Sequence, residues 1–295
     1  MNLLQFLGAV ELGTIFALVA IGVYLSFRVL DFPDLTADGS FPLGAAIAAT
    51  MIVAGIDPWL ATLIAFFGGT LAGIVTAYLN VRFGILSLLA SILTMTALYS
   101  INLRIMGRPN IAMLYEKTVF TPFESFFGDH IVAVLVFGFS AIFIVGFLVY
   151  WLLQSQVGLG IRATGANPVM AQAQGVRTKT MILFGIALSN GIIALAGALF
   201  AQSQGFADVN MGVGTIIIGL ASVIIGEVIL PPRLVLFSII GCVIGSILYR
   251  LAVAFALNAD FMKPSDLNLM TALIVVVAMV LPKLKKEAAL KIRRS

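Results

Sequence analysis

The chain has 295 residues, of which 61% are hydrophobic and only 10% charged, with a formal net charge of +4. That composition excludes a soluble globule, because much of any globule faces water and this chain lacks the polar residues to cover it. One cysteine and one histidine exclude a disulfide framework and a Cys/His-rich metal site.

Apolar runs fall at 6–27, 41–56, 58–80, 84–104, 131–153, 179–201, 212–230, 234–257 and 267–282. A helix needs ~20 apolar residues to cross a bilayer, so the expected fold is an all-α polytopic membrane protein. About eight to nine transmembrane helices are expected, the lower figure applying if the short second run is half of an interrupted helix. The first ten residues carry no Lys or Arg, so the first run reads as a retained span rather than a signal peptide. One transmembrane domain over 1–282 is expected, followed by a basic tail, 283–295.

The first connector, 28–40, runs into a polar segment, 30–42, that places Asp31, Asp34 and Asp38 among two prolines and a glycine, which forbid a continuous helix. Asp38 or Ser40 is suited to cap the next helix, with Pro42 in its first turn. Two readings stand: a polar loop at the membrane surface, or an unwound segment within membrane depth. The second is tolerated only inside protein or beside a water-filled path. Asn102, Arg104, Asn190, Gln202, Gln204 and Arg250 lie in or near spans and read as packing or interfacial residues. His130, beside Asp129 at a span boundary, reads as interfacial, and Cys242 as a small packing residue.

Residues 154–178 form the connector with the most internal structure. It is basic, with Arg162 and Arg177 in it and Lys179 just beyond, and no acidic residue between them. Asn167 is a good helix cap, Pro168 suits the first helical position and Gly175 fits a stop. Val169 to Gln174 then makes about two turns, with Met170, Ala173 and Gln174 on one face. So short and weakly amphipathic a helix is a poor lipid-surface element, which favours a protein-docking helix. The next span repeats small residues at Gly185, Gly191 and Gly197, the composition of closely packed membrane helices. Glu227 precedes the Pro231-Pro232-Arg233 turn, and a surface pair with Arg233 is expected.

The tail carries six cations against Glu287 alone. A juxtamembrane basic cluster marks the cytoplasmic side and contact with anionic lipid, not nucleic acid. Alternating backwards from it puts Arg28, Arg82, Arg162, Arg177, Lys179 and Arg233 on that side, twelve of the 17 cations in all. The connectors 105–130 and 258–266 on the other side are acidic or balanced. No G-x-x-x-x-G-K-[ST] loop occurs. The Gly158/Gly160/Gly165 spacing is no dinucleotide fingerprint, and the three aspartates crowd one loop, unlike the facing pair of an intramembrane protease.

The run Gly158-Leu-Gly-Ile-Arg-Ala-Thr-Gly-Ala-Asn-Pro-x-Met-Ala, continuing to Gly175-Val176, resembles the permeases of the branched-chain amino-acid and ribose class of bacterial ABC importers. So do Gly22-Val23-Tyr24 through Asp38-Gly39-Ser40-Phe41-Pro42, and the glycine-rich stretches 187–205, 219–227 and 241–245. The first break reads Asp-Phe-Pro-Asp-Leu-Thr-Ala-Asp, where typical branched-chain permeases read Asn-Phe-Ala-His-Gly. The resemblance implies a non-enzymatic subunit of an importer for a small polar solute, an amino acid foremost, in a bacterial inner membrane. It implies ABC ATPase subunits, an extracytoplasmic binding lipoprotein and a second permease copy or paralogue as partners. ATP and magnesium would be held by the ATPase and no cofactor by this chain. It assigns Arg162, Gly165, Asn167, Pro168, Met170, Ala171, Gln174, Gly175 and Arg177 to ATPase coupling. Asp31, Asp34, Asp38, Ser40 and Asn190 would line the translocation path. The rival readings are an ATPase-independent channel or secondary carrier and, lacking catalytic groups, a membrane enzyme.

Overall fold

A computed structural model describes residues 3–257 except 115 and 233, together with residue 276. The expected connector 258–266, the ninth expected span, 267–282, the tail 283–295 and Arg233 lie outside the described residues, residue 276 apart. Within them the chain forms helices α1 (Leu3–Val23, continued by a wider π-helical turn, Tyr24–Val29), α2 (Ala37–Val53), α3 (Pro58–Phe83) and α4 (Ser87–Met106). The short helix α5 (Thr121–Phe127) precedes α6 (His130–Gln154), α7 (Gln156–Ala166), α8 (Pro168–Ala173) and α9 (Thr178–Gln204). Last come α10 (Thr215–Ile229) and α11 (Val235–Leu257). Two three-residue strands, β1 (Asn110–Ala112) and β2 (Phe206–Asp208), pair antiparallel with Ile111 opposite Ala207. They join the far ends of α4 and α9.

Six helices among the described residues are long and apolar enough to cross a membrane, not eight or nine. The other two apolar helices, α2 and α10, have 17 and 15 residues. The shortening of α2 follows from the break before it. The chain leaves α1 at Asp31, whose φ of 52° is left-handed, and regains a helix only at Ala37. The interruption therefore lies ahead of the second helix rather than inside it. The expected caps fail as well: no side chain caps α2, and Asp38 and Ser40 sit inside its first turn. Pro42 falls in the second turn, where the helix tolerates its missing N–H.

The core is organised on α9. α2 runs beside it at a constant offset: Ser40 meets Asn190, Gly44 lies on the backbone of Ala194, and Ala48 packs with Ala198. A Cβ on Gly44 would collide with the Ala194 carbonyl, and one on Gly197 with the Phe41 carbonyl. Small residues every fourth position on both helices allow this approach, which lipid-solvated helices use where no hydrophobic force drives them together. α3 lies along another side of α9 in the opposite sense, with Gly73 on Ile186 and Gly69 on Asn190. α1 joins through the Ser189 hydroxyl, which donates to the Gly22 carbonyl at 2.7 Å. α10 and α11 pack on each other where Gly226 meets Gly241, and α1 lies against both.

The packing predicts that Gly44→Val lowers the melting temperature of the purified protein, since overpacking a close seam costs about 1–3 kcal/mol or more. Gly8→Ala, where an added Cβ meets nothing within 4 Å, should leave it unchanged. Equal melting temperatures for the two variants would contradict the seam.

Candidate functional site

Three of the five expected path residues come together. Asn190 Nδ2 donates to Asp34 Oδ2 at 2.6 Å, and the Ser40 hydroxyl donates to Asn190 Oδ1 at 2.7 Å. The other Asp34 oxygen accepts the Thr36 backbone N–H at 2.9 Å. The Thr36 and Thr76 hydroxyls are 2.8 Å apart, which carries the knot onto α3. All five residues are at most 1% exposed. Asn190 is near the midpoint of the 27-residue α9, so the carboxylate of Asp34 lies at the middle depth of the bundle. The polar side chains of the break that meet Asn190 are thus inside the protein and not in a surface loop. A buried carboxylate is costly unless its oxygens are hydrogen-bonded, and here the unwound backbone itself supplies one donor.

The remaining two path residues go elsewhere. Asp38 accepts from the backbone N–H groups of Gly214 at 3.2 Å and Ile216 at 2.8 Å. It caps α10 from a different helix, satisfying donors that Gly214, the residue before α10, cannot. Asp31 is exposed on the surface, beside the end of α1. The break thus ties α2 to α9 through Asp34 and to α10 through Asp38. Thr36 and Thr76 had no sequence signal, because a threonine in an apolar run is commonplace until its partner is known.

The connector 154–178 holds more helix than expected. α7 was hidden by Gly158, Gly160 and Gly165, since each glycine costs a helix about 1 kcal/mol relative to alanine. Tertiary contact overrides that cost: a Cβ on Gly165 would strike the Val29 carbonyl, so α7 seats directly on the end of α1. The Ser155 hydroxyl, accepting from Gly158 N at 3.3 Å, starts the helix. α8 begins as expected at Asn167, whose side chain accepts from Val169 N at 3.1 Å and Met170 N at 3.0 Å, and the chain stops at Gly175 with φ of 83°. Six residues of helix do not by themselves distinguish a coupling element. Pro168, Gln174, Gly175 and Arg177 are exposed, and Gly165 is half-buried. Val169 and Met170 are 76% and 59% exposed while Ala171 is buried. The half-buried Arg162 points its Nε into the fold, where it has no hydrogen-bond partner.

Glu227 pairs with Arg28: Arg28 Nε and Nη2 reach its two oxygens at 2.5 and 2.8 Å, while the expected partner Arg233 lies outside the described residues. The pair ties the π-helical end of α1 to the end of α10. Arg28 is 58% exposed, so the pair contributes at most about 1 kcal/mol.

A polar break at mid-depth, an all-helical membrane bundle and a helical connector ending in a short exposed helix form one constellation. A family described as "Branched-chain amino acid transport system / permease component" matches residues 5–281. The chain belongs to this family. It is thus a permease of the bacterial ABC-importer type for small polar solutes, a multi-pass membrane protein and not an enzyme. The permease is 38% identical over 262 residues to the "Tyrosine transport system permease protein" of Clostridioides difficile, covering 89% of this chain and 86% of that one. It is 28% identical to the "Probable branched-chain amino acid transport permease protein LivH" of Methanocaldococcus jannaschii, covering 84% and 82%. Among solved structures, "PsaBC from Streptococcus pneumoniae in complex with Fab" shares the fold, with a TM-score of 0.53 and 16% identity over 93% of this permease and 89% of that chain.

Removing Asn190 leaves Asp34 and Ser40 short of partners at once. Asn190→Ala should destabilise the permease by on the order of 1–3 kcal/mol or more, measured as thermal aggregation in detergent. Asn190→Gln should fall between the two, and a fully stable Asn190→Ala would show that the knot contributes nothing.

Proposed function

We propose that this permease is the membrane subunit of an ATP-driven importer for an amino acid, supplied by an extracytoplasmic binding lipoprotein. It works with a second permease copy or paralogue and two ATPase subunits, which hold the ATP and magnesium. The name of the C. difficile relative, a tyrosine permease, supports an amino acid as the solute. The basic residues support an orientation with Arg28, Arg82, Arg162 and Arg177 in the cytoplasm, where the C-terminal tail also belongs. In this reading residues 1–282 are a single permease domain.

A pair of exposed apolar side chains, Val169 and Met170, stands on a helix capped by Asn167 and supports this reading. An exposed apolar pair rimmed by Arg177, Gln174 and Gly175 fits the centre of a small protein interface. α8 is the coupling helix, and its stop at Gly175 and buried Ala171 fix its seating. The load path follows from packing. α8 is joined to α7, and α7 rests through Gly165 on the Val29 carbonyl, two residues before the left-handed Asp31. Displacement of α8 by ATPase closure therefore reaches the break first. There the chain has no helical hydrogen bonds to resist it, and the Asp34–Asn190–Ser40 knot either holds or parts. Parting it opens the path between α2, α3 and α9.

The double variant Val169→Glu/Met170→Glu tests this. It should reach the membrane at the normal level with an unchanged melting temperature, yet lose at least ten-fold in co-purified ATPase and in uptake. Arg162→Glu should likewise abolish uptake. A double variant that retains its ATPase and transports normally would contradict the assignment of α8.

A further inference from the structure

Helices α1 and α11 touch tightly at one level and separate above it. At the contact the Ser246 hydroxyl donates to the Gly13 carbonyl at 2.8 Å, and a Cβ on Gly13 would lie 2.9 Å from the Cα of Ile247. Toward the start of α1 and the end of α11 the two helices splay. Between them lies a cleft of about 460 Å³ walled by Gln5, Gly8 and Leu12 on one side and Arg250, Val253 and Leu257 on the other. Both walls repeat at helical spacing, so each is one continuous helix face.

Arg250 stands one turn above the contact, at the floor. Its guanidinium carbon is 3.8 Å from the centroid of the Phe16 ring, and its buried Nε has no hydrogen-bond partner. Phe16 in turn meets Phe41 at 5.6 Å and Phe200 at 5.7 Å between ring centroids. Phe41 follows Ser40 directly, so the aromatic group connects the cleft floor to the polar knot. A guanidinium inside a membrane helix is expensive and calls for a counter-anion, and its fork geometry matches a carboxylate. The volume lies within the range of small-molecule sites, roughly 300–1,000 Å³. In the orientation proposed above the cleft opens outward.

We infer that this cleft is the entry subsite of the permease, in which Arg250 takes the carboxylate of the incoming amino acid above the Phe16–Phe41–Phe200 group. The inference rests on the importer reading. The chain's own acids beyond Leu257, Asp260 and Asp266, are the rival source of a carboxylate.

The test uses the full importer in membrane vesicles with Gly8→Cys as a reporter, since Gly8 faces open space and the native Cys242 is buried. L-Tyrosine and L-leucine, compared with tyramine and isopentylamine, which lack the carboxylate, are the probes. At least one amino acid should slow maleimide labelling of the reporter several-fold, its amine should not, and Arg250→Gln should remove the protection. Arg250→Gln should also cut uptake at least ten-fold with ATPase co-purification intact, Arg250→Lys recovering part of it. Labelling unaffected by either amino acid in vesicles that transport would overturn the subsite alone. Recovery of uptake by Arg250→Asp combined with Asp260→Arg or Asp266→Arg would also overturn it, by assigning the guanidinium to the chain's own acid. Absence of both transport and ATPase association in the unmodified protein would instead overturn the importer reading.

Discussion

The close seam between α2 and α9 is the constraint from which the rest of the fold follows. Ser40, Gly44 and Ala48 must face Asn190, Ala194 and Ala198 in register, because a bulkier side chain at Gly44 or Gly197 would enter a facing carbonyl. That register sets the depth at which α2 begins, and hence where the chain after α1 has to cross unwound. Once the break is fixed at mid-depth, its polar groups need partners. Asn190 stands on the same small-residue ridge, four residues before Ala194, and it supplies the donor to Asp34. The seam and the knot are therefore one feature: dispersion between small residues on most of its length and hydrogen bonds at one end.

This arrangement also orders the break without helical hydrogen bonding across it. The buried, unwound segment is held by a few specific bonds rather than by a cooperative ladder of them. Asp34 is held by Thr36 and Asn190, and Asp38 by the first turn of α10. The seat of α7 on the Val29 carbonyl lies immediately upstream. In the proposed mechanism a displacement of the connector 154–178 would act first on this segment.

Much of this was legible in the sequence. Hydrophobic length located every helix from α1 to α4, and α6 and α9 to α11, to within a few residues, because a lipid-facing helix must be apolar for its whole length. The caps Asn167 and Gly175 located α8, because their chemistry is local. What was not legible was long-range. α7 was masked by glycines that serve contacts with Val29 and with the end of α6. Asp38 looks like a cap for its own helix and instead caps α10, 178 residues from its farthest donor. The pairing of Glu227 with Arg28 spans 199 residues, and no spacing rule reaches so far. Arg250 gave only the signal of a charge in a span; its stacking on Phe16 and its place at a cleft floor needed the fold.

In the proposed function, transport through this permease is driven from outside the chain, by ATP hydrolysed on a separate subunit. Proteoliposomes containing the permease with its ATPase and binding lipoprotein measure this most directly, with radiolabelled tyrosine or leucine as solute. Accumulation that requires ATP and all three components is the predicted result. Equal flux through the permease alone, without ATP or binding protein, would contradict the account and make the chain a channel or a secondary carrier.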